Sequence, residues 1–131
     1  MAKEIGFIGL GAMGKPMALN LIKKGFSLRV YDIIPEKMDP LAAQGANVCR
    51  SPKEVATICP IIITILPAPP EVRSAVLGKD GVIEGIKPGA ILIEMSTIDP
   101  LTSREVGSAL AAKGAKMLDA PVARGVPAAV A

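Results

Sequence analysis

The 131-residue chain contains no histidine and no tryptophan, and it has only one tyrosine and two phenylalanines. Without histidine, the chain by itself cannot form a histidine base, a histidine-ligated metal site or a Ser–His triad. So few aromatic rings leave almost no surface on which nucleic-acid bases could stack. The formal net charge of +3 comes from interspersed acids and bases rather than from one basic patch. We therefore expect no nucleic-acid partner.

Cysteines and long apolar runs are also scarce. Cys49 and Cys59 are too few and too far apart in sequence for a zinc site, so we predict no metal. Both lie in apolar segments, which favours buried free thiols over a disulfide. The longest dense apolar run, residues 61–66, is far too short to span a membrane. Lys3 before an apolar stretch is similar to the start of a signal peptide, but Glu4 does not fit one. We predict a cytoplasmic protein with no membrane partner.

What the sequence does contain is typical of one folded domain. Half of the residues are apolar, 21% are charged and the mean hydropathy is +0.46. This composition excludes a disordered chain. A chain of this length buries roughly two-thirds of its surface on folding, so it needs no disulfide or metal to be stable. We assign residues 1–131 to one domain.

Strand and helix patterns alternate strictly along the chain. Short β-forming runs predict strands near residues 5–8, 28–31, 47–48, 61–66, 90–95 and 116–118. Helical patterns between them predict helices over residues 13–24, 35–44, 51–58, 71–77 and 99–113, while residues 78–89 read as a loop. The run at 61–66 is apolar on both faces, as in a central parallel strand. The predicted fold class is α/β, with a doubly wound, mostly parallel sheet.

The motif that carries chemistry lies between the first strand and the first helix. Residues 9–14 read Gly-Leu-Gly-Ala-Met-Gly, a G-x-G-x-x-G sequence in the context that binds dinucleotides. In such a motif Gly9 permits a tight turn, Gly11 lets the backbone approach a pyrophosphate, and Gly14 allows helix and strand to pack closely. The helix N-terminus offers free N–H groups to the phosphates. A glycine-rich turn without a ligand is the alternative.

Asp32 ends the second predicted strand, about 20 residues after the motif, where an acidic residue accepts hydrogen bonds from ribose hydroxyls. Its charge would repel a 2′-phosphate, which favours NAD over NADP. Arg29 and Lys37 are near in sequence and keep NADP use possible. A solvated acid at a strand end is the alternative for Asp32.

Other candidates follow the later strands, because ligands bind beyond the carboxyl ends of a parallel sheet. They are Leu66 and Pro67, Ser96 and Thr97, and Arg124, whose guanidinium suits a carboxylate or sulfonate. The alternatives are plain: Ser96 and Thr97 could simply begin the turn before Asp99, and Arg124 could be a surface charge.

Taken together, these segments resemble a known family. Residues 6–21 (GFIGLGAMGKPMALNL) closely resemble the opening of the β-hydroxyacid dehydrogenases, which include 3-hydroxyisobutyrate dehydrogenase and tartronate semialdehyde reductase, with 6-phosphogluconate dehydrogenase as a distant relative. Residues 65–67 (ILP), 94–100 (EMSTIDP) and 119–122 (DAPV) match further family segments in the same order. The resemblance covers nearly the whole chain and implies a Rossmann-type NAD(P)-binding domain.

The resemblance also implies roles for individual residues. The motif residues Gly9, Leu10, Gly11, Ala12, Met13 and Gly14 would bind the cofactor, with Ala12 and Met13 along the pyrophosphate. Asp32 would hold the adenosine ribose, Leu66 and Pro67 would border the cofactor, and Thr97 would approach the nicotinamide. Ser96 would face the carboxylate of a small anionic substrate.

Two departures from the family pattern matter. Many members continue Asp-Ala-Pro-Val with Ser-Gly-Gly, whereas residues 123–125 here are Ala-Arg-Gly. An arginine at this place, Arg124, is similar to the branch that reduces sulfolactaldehyde. The family's proton-transferring lysine lies on a helix beyond residue 131, in a second, helical domain, so we assign no catalytic residue in this chain.

We therefore interpret the chain as the NAD-binding domain of a β-hydroxyacid dehydrogenase, inactive alone and homo-oligomeric at full length. A stand-alone, non-catalytic nucleotide-binding module is the alternative. A third possibility is another reductase of the same fold, of the pyrroline-5-carboxylate or ketopantoate type. The segment at residues 96–100 speaks against it.

Overall fold

The computed structural model describes residues 4–121, which form one six-stranded sheet. All neighbouring strands run parallel, in the order β3-β2-β1-β4-β5-β6. The strands are β1 (Glu4–Ile8), β2 (Ser27–Tyr31), β3 (Asn47–Val48), β4 (Ile61–Thr64), β5 (Ile91–Glu94) and β6 (Lys116–Asp119). The chain order reverses between β1 and β4, which is the topological switch point where open α/β sheets bind ligands. The predicted doubly wound sheet is confirmed.

Helices cover the sheet from both sides and divide the core into two layers. They are α1 (Gly14–Lys23), a 3-10 turn (Pro35–Met38), α2 (Asp39–Ala43), α3 (Pro52–Ile58), α4 (Pro69–Leu77), α5 (Val82–Gly85) and α6 (Pro100–Ala112). Ala18 of α1 and Leu41 of α2 pack with Phe7 and Val30 in one layer. The helices α3 to α6 pack over Ile62 and its neighbours in the other layer.

The helix predicted over residues 35–44 is two shorter elements. A 3-10 turn ends at Met38, and α2 begins at Asp39. Pro40 explains the division, because proline has no N–H to donate to the carbonyl four residues earlier, and its ring clashes there. Pro40 is tolerated only in the first turn of α2, so the chain starts a new helix at this point.

Three other differences from the prediction are larger than one residue. The segment predicted as a loop over residues 78–89 contains α5, a single helical turn that packs against α3. Strand β4 ends at Thr64, two residues earlier than predicted, and α4 begins at Pro69 instead of near residue 71. Periodicity could not reveal α5, because four residues are too few to show a repeat of 3.6.

The predicted helix caps are present. The Glu54 N–H donates to Ser51 Oγ at 3.1 Å, and the Thr102 N–H donates to Asp99 Oδ2 at 3.2 Å. The capping box at Ser51 is modified, because the Glu54 carboxylate accepts from the Arg50 N–H instead of from the N–H of the cap residue. Ser51 and its neighbours are thereby held at the end of β3.

Both cysteines are free and buried, as predicted. Burial raises the pKa of Cys49 to about 11 and that of Cys59 to about 12, so both thiols stay protonated at neutral pH. Among residues 4–121, no cluster of three acidic or cysteine side chains could hold a metal ion. None of the helices in this part of the chain has the length and apolar character needed to cross a membrane.

Candidate functional site

A cleft of about 810 Å³ opens beyond the carboxyl ends of β1, β2 and β4. Its size is in the range of small-molecule and cofactor sites. The glycine motif forms its floor, and the segments that follow β2, β3 and β4 form its walls. The lining residues include Gly9, Gly11, Ala12, Met13, Gly14, Asp32, Ile33, Lys37, Arg50, Leu66, Pro67 and Lys79.

Two glycines of the motif are required by the packing of the protein itself. Gly9 has φ +102°, and a Cβ on it would lie 2.1 Å from the carbonyl oxygen of Ile65. A Cβ on Gly14 would lie 1.9 Å from the carbonyl oxygen of Gly9. Side chains at these positions would force backbone apart. Gly9 therefore permits the tight turn beside Ile65, and Gly14 lets α1 begin close to the end of β1, as the sequence predicted.

Gly11 differs from both. A Cβ on Gly11 would meet no atom within 4 Å, and Gly11 does not have a positive φ. The fold therefore gives no reason for glycine at this position. Because Gly11 lines the cleft, the missing side chain leaves room for a ligand to reach the backbone.

Helix α1 begins at the edge of this open space. Its N-cap residue, Met13, makes no side-chain hydrogen bond to the helix, and no acidic residue lies in the first turn. The first N–H groups of a helix have no partner within the helix and attract anions. An uncapped helix N-terminus beside an open glycine fits the pyrophosphate of a dinucleotide.

Asp32 lies at the end of β2 and is only 9% exposed. Its Oδ2 accepts the Leu10 N–H at 2.7 Å, and its Oδ1 accepts the Ile34 N–H at 2.8 Å. Asp32 therefore ties the glycine motif to the segment after β2, a role that the sequence did not reveal. A carboxylate has about four acceptor positions, so lone pairs remain for ligand hydroxyls. The solvated acid considered as the alternative does not fit this geometry.

The cations near the cleft differ from those predicted. Arg29 forms an ion pair with Glu4, a residue at the opposite end of the sheet, so its guanidinium is not directed to the cleft. Lys37 lines the cleft as expected, and Arg50 lines it too. We missed Arg50 because β3 has only two residues and gives a weak pattern. The rule that ligands bind beyond the carboxyl ends of strands would have pointed to the segment after β3, which contains Arg50.

Sequence reasoning also missed two further parts of the wall. One is the face of α4 that carries Glu71 and Ser74, and the other is the turn at Lys79 and Asp80. Asp80 adopts a left-handed conformation with φ +57°, and its carbonyl accepts the Lys53 N–H at 2.8 Å. The turn lies in the segment where α5 went unrecognised, so no pattern placed it near the site.

The remaining predicted residues are brought to the site to different degrees. Leu66 and Pro67 line the cleft, whereas Thr97 is exposed and outside its lining. Leu10 is buried and gives its N–H to Asp32. Ser96 is 2% exposed, and its Oγ accepts the Leu66 N–H at 2.7 Å. The substrate contact predicted for Ser96 stays a prediction, and Arg124 lies outside the described residues.

The sheet order, the glycine motif at the switch point and the acidic residue after β2 define a Rossmann-type dinucleotide-binding domain. Over residues 4–131 the sequence matches the family described as the NAD binding domain of 6-phosphogluconate dehydrogenase. The chain belongs to this family, and its cofactor is NAD(P).

Two of the similar proteins are named as dehydrogenases. The chain is 44% identical to a probable mitochondrial 3-hydroxyisobutyrate dehydrogenase of Dictyostelium discoideum, over 95% of this chain and 39% of that protein. It is 42% identical to an NAD-dependent L-serine dehydrogenase of Pseudomonas aeruginosa, over 98% of this chain and 43% of that protein. The chain thus spans about two fifths of the length of these relatives.

A solved structure agrees with the sequence relatives. The 3-hydroxyisobutyrate dehydrogenase of Mycobacterium tuberculosis, determined with L-serine, superposes with a TM-score of 0.89 and 36% identity, over 99% of this chain and 44% of that chain. All three of these similar proteins are dehydrogenases by name.

Proposed function

We propose that this chain is the cofactor domain of an enzyme that transfers a hydride between NAD and a small 3-hydroxy acid or its semialdehyde. The observation that carries the proposal is the open space at Gly11, a glycine that the ligand requires and the fold does not. The nicotinamide, when bound, supplies the hydride chemistry. The residues described above bind and orient the cofactor.

Each part of the cleft suits one part of a dinucleotide. We assign the pyrophosphate to the backbone of Gly11, Ala12 and Met13, beside the uncapped start of α1. The adenosine ribose belongs at Asp32, whose free lone pairs suit hydroxyl donors. Leu66 and Pro67 form the wall on the side of β4, toward the position of Thr97.

We infer that NAD is preferred to NADP. The Asp32 carboxylate repels a 2′-phosphate, and the 82% exposed Ile33 beside it has an apolar side chain that cannot donate a hydrogen bond to the phosphate. Lys37 and Arg50 provide positive charge at the same cleft, so the preference is expected to be moderate.

The first experiment is a titration of the 131-residue chain with NADH and with NADPH. NADH fluorescence can report binding without interference from tryptophan emission, because the chain has no tryptophan. We expect saturable binding of both, with a Kd about tenfold lower for NADH, which corresponds to about 1.4 kcal/mol. We also expect no reduction of short aldehydes, since the chain carries no assigned proton donor. Absence of binding would contradict the proposed site.

For the substrate, we propose a short anionic molecule recognised by Arg124. A guanidinium binds a carboxylate or sulfonate through two parallel hydrogen bonds. In the full-length dehydrogenase, Arg124→Ala should lower kcat/KM for such a substrate by about 100-fold, the scale of two lost charge-assisted bonds. The Kd for NADH should stay unchanged.

The control for this prediction is Arg104→Ala, which removes an exposed arginine from α6. An Arg124→Ala enzyme with the kcat/KM of the Arg104→Ala enzyme would make Arg124 a surface charge. A panel of carboxylate and sulfonate semialdehydes would identify the substrate class. The homo-oligomeric state and the cytoplasmic location stay predictions of the sequence.

A further inference from the structure

Glu94, the last residue of β5, is a buried carboxyl group outside the lining of the cleft. Its side chain has no exposed surface, and it forms no ion pair with any residue between 4 and 121. On the same face of β5, Leu92 packs in the apolar core. A carboxyl group in such a place is costly unless hydrogen bonds compensate for the lost water.

Hydrogen bonds from two neighbouring segments compensate the carboxyl group. Oε1 accepts the Ser96 N–H at 2.9 Å, and Oε2 accepts the Thr64 hydroxyl at 2.6 Å. Burial raises the pKa of Glu94, while hydrogen bonds from the Ser96 side chain, the Thr64 side chain and the Ser96 backbone lower it. The carboxyl group of Asp119, beside Glu94 on β6, adds a smaller increase.

Ser96 connects Glu94 to the wall of the cleft through hydrogen bonds. Glu94 Oε1 accepts the Ser96 backbone N–H, and Ser96 Oγ in turn accepts the Leu66 N–H at 2.7 Å. Leu66 lies beyond the end of β4, where no sheet partner takes its N–H. The Ser96 hydroxyl therefore takes the place of a strand partner at the point where the chain leaves β4 and forms the cleft wall at Leu66 and Pro67.

We propose that Glu94 is a positioning residue that fixes the Leu66–Pro67 wall of the cofactor cleft by orienting Ser96. The proposal rests on the proposed function, because it takes that wall to border the cofactor. It gives the Ser96 hydroxyl a role different from substrate contact, since Glu94 holds the Ser96 backbone and the hydroxyl accepts the Leu66 N–H.

The geometry favours this role over simple filling of the core. An apolar side chain would fill the space below Thr64 without any desolvation cost, yet it would leave the Ser96 N–H and the Thr64 hydroxyl without an acceptor. What the carboxyl group provides is orientation of the segment after β5. Residues that hold the residues of a binding site in place commonly decide how precisely that site is formed.

The test compares Glu94→Gln, Glu94→Met and Leu110→Ala in the 131-residue chain. Glutamine keeps an oxygen for the Ser96 N–H and donates to the Thr64 hydroxyl, whereas methionine keeps the length and removes every hydrogen bond. Leu110→Ala is the stability control, because Leu110 is buried on α6 and does not line the cleft. The readouts are the Kd for NADH, the Tm and the hydrogen exchange of the Leu66 amide.

We expect Glu94→Met to raise the Kd for NADH by about tenfold, the effect of one unsatisfied buried polar group. Glu94→Gln should keep a Kd within about twofold of the parent, and Leu110→Ala should lower the Tm without changing the Kd. Protection of the Leu66 amide should be lost only in Glu94→Met. If Glu94→Met does not fold, Ser96→Ala tests the bond through which Glu94 acts, because it removes the acceptor for the Leu66 N–H. An unchanged Kd and a protected Leu66 amide in Ser96→Ala would then overturn the proposal.

An unchanged Kd together with a protected Leu66 amide in Glu94→Met would overturn the proposal. The proposal would also be overturned if Glu94→Gln weakened NADH binding as much as Glu94→Met, since the effect would then come from the lost charge. The same holds for Leu110→Ala, since the effect would then come from lower stability. Failure of the parent chain to bind NADH would instead contradict the proposed function. The exchange of the Leu66 amide would still decide whether Glu94 orders the wall.

Discussion

Replacing Gly11 with valine is expected to abolish NADH binding while leaving the fold and the Tm unchanged. A Cβ at Gly11 has no atom within 4 Å, so the fold leaves open space where the added side chain begins. It would occupy the space through which the pyrophosphate reaches the backbone. We expect the Kd for NADH to rise by at least about 100-fold, since the phosphate contacts of the motif are lost together. Fluorescence titration and thermal unfolding by circular dichroism measure the two quantities.

Gly14→Ala is the matched comparison for this experiment. A Cβ at Gly14 would lie 1.9 Å from the Gly9 carbonyl oxygen, so the helix must move away from β1. Overpacking of this kind costs about 3 kcal/mol or more, and we expect a large fall in Tm. Gly11→Val with a similar fall in Tm would mean that Gly11 is structural like its neighbours. Normal NADH binding by Gly11→Val would remove Gly11 from the site.

These glycines show how far a sequence pattern goes. The spacing of residues 9–14 predicted the turn, the close packing and the phosphate approach, because each depends on the missing Cβ and not on distant contacts. The alternation of strands and helices likewise predicted the sheet. Connections in such sheets are right-handed and short, so few topologies compete.

The residues that sequence reasoning missed share one physical cause. Arg50 follows the two-residue strand β3, and Lys79 precedes the one-turn helix α5. Glu71 lies on the face of α4 that lines the cleft. The short elements have no periodicity to read, and the pattern of α4 does not show which of its faces meets the cleft. Only the packed fold brings these side chains together. Arg29 is the reverse case, because it is near Asp32 in sequence but pairs with Glu4.

Glu94 could be located from the sequence, but its role could not be read there. The pattern predicted a strand over residues 90–95, and a glutamate at its end reads as a solvated group. Only the sheet register, which places Glu94 beside Thr64 of β4, turns it into a buried acceptor. A hydrogen bond between residues 30 positions apart depends on tertiary structure.

Asp32 combines a structural and a binding role, and substitution should separate them. Asp32→Ala leaves the N–H groups of Leu10 and Ile34 without their acceptor. The loss costs about 1–3 kcal/mol at the buried Leu10 and less at the exposed Ile34, whose N–H can bond to water. Because the glycine motif then loses its anchor, both cofactors should bind more weakly. NADH should lose more than NADPH, since only NADPH is relieved of repulsion between its 2′-phosphate and the carboxylate.

Asp32→Asn refines this test, because the amide keeps the shape and one acceptor oxygen but has no charge. We expect a smaller fall in Tm than for Asp32→Ala, and a Kd ratio of NADPH to NADH reduced by about tenfold, as for one charge contact. Asp39→Asn is the control, since it neutralises an exposed acid on α2 that does not line the cleft. Equal weakening of NADH and NADPH in Asp32→Asn would contradict the ribose assignment and leave Asp32 only as the anchor of the glycine motif. A changed ratio with an intact Tm would instead place the discrimination between the two cofactors at this carboxylate.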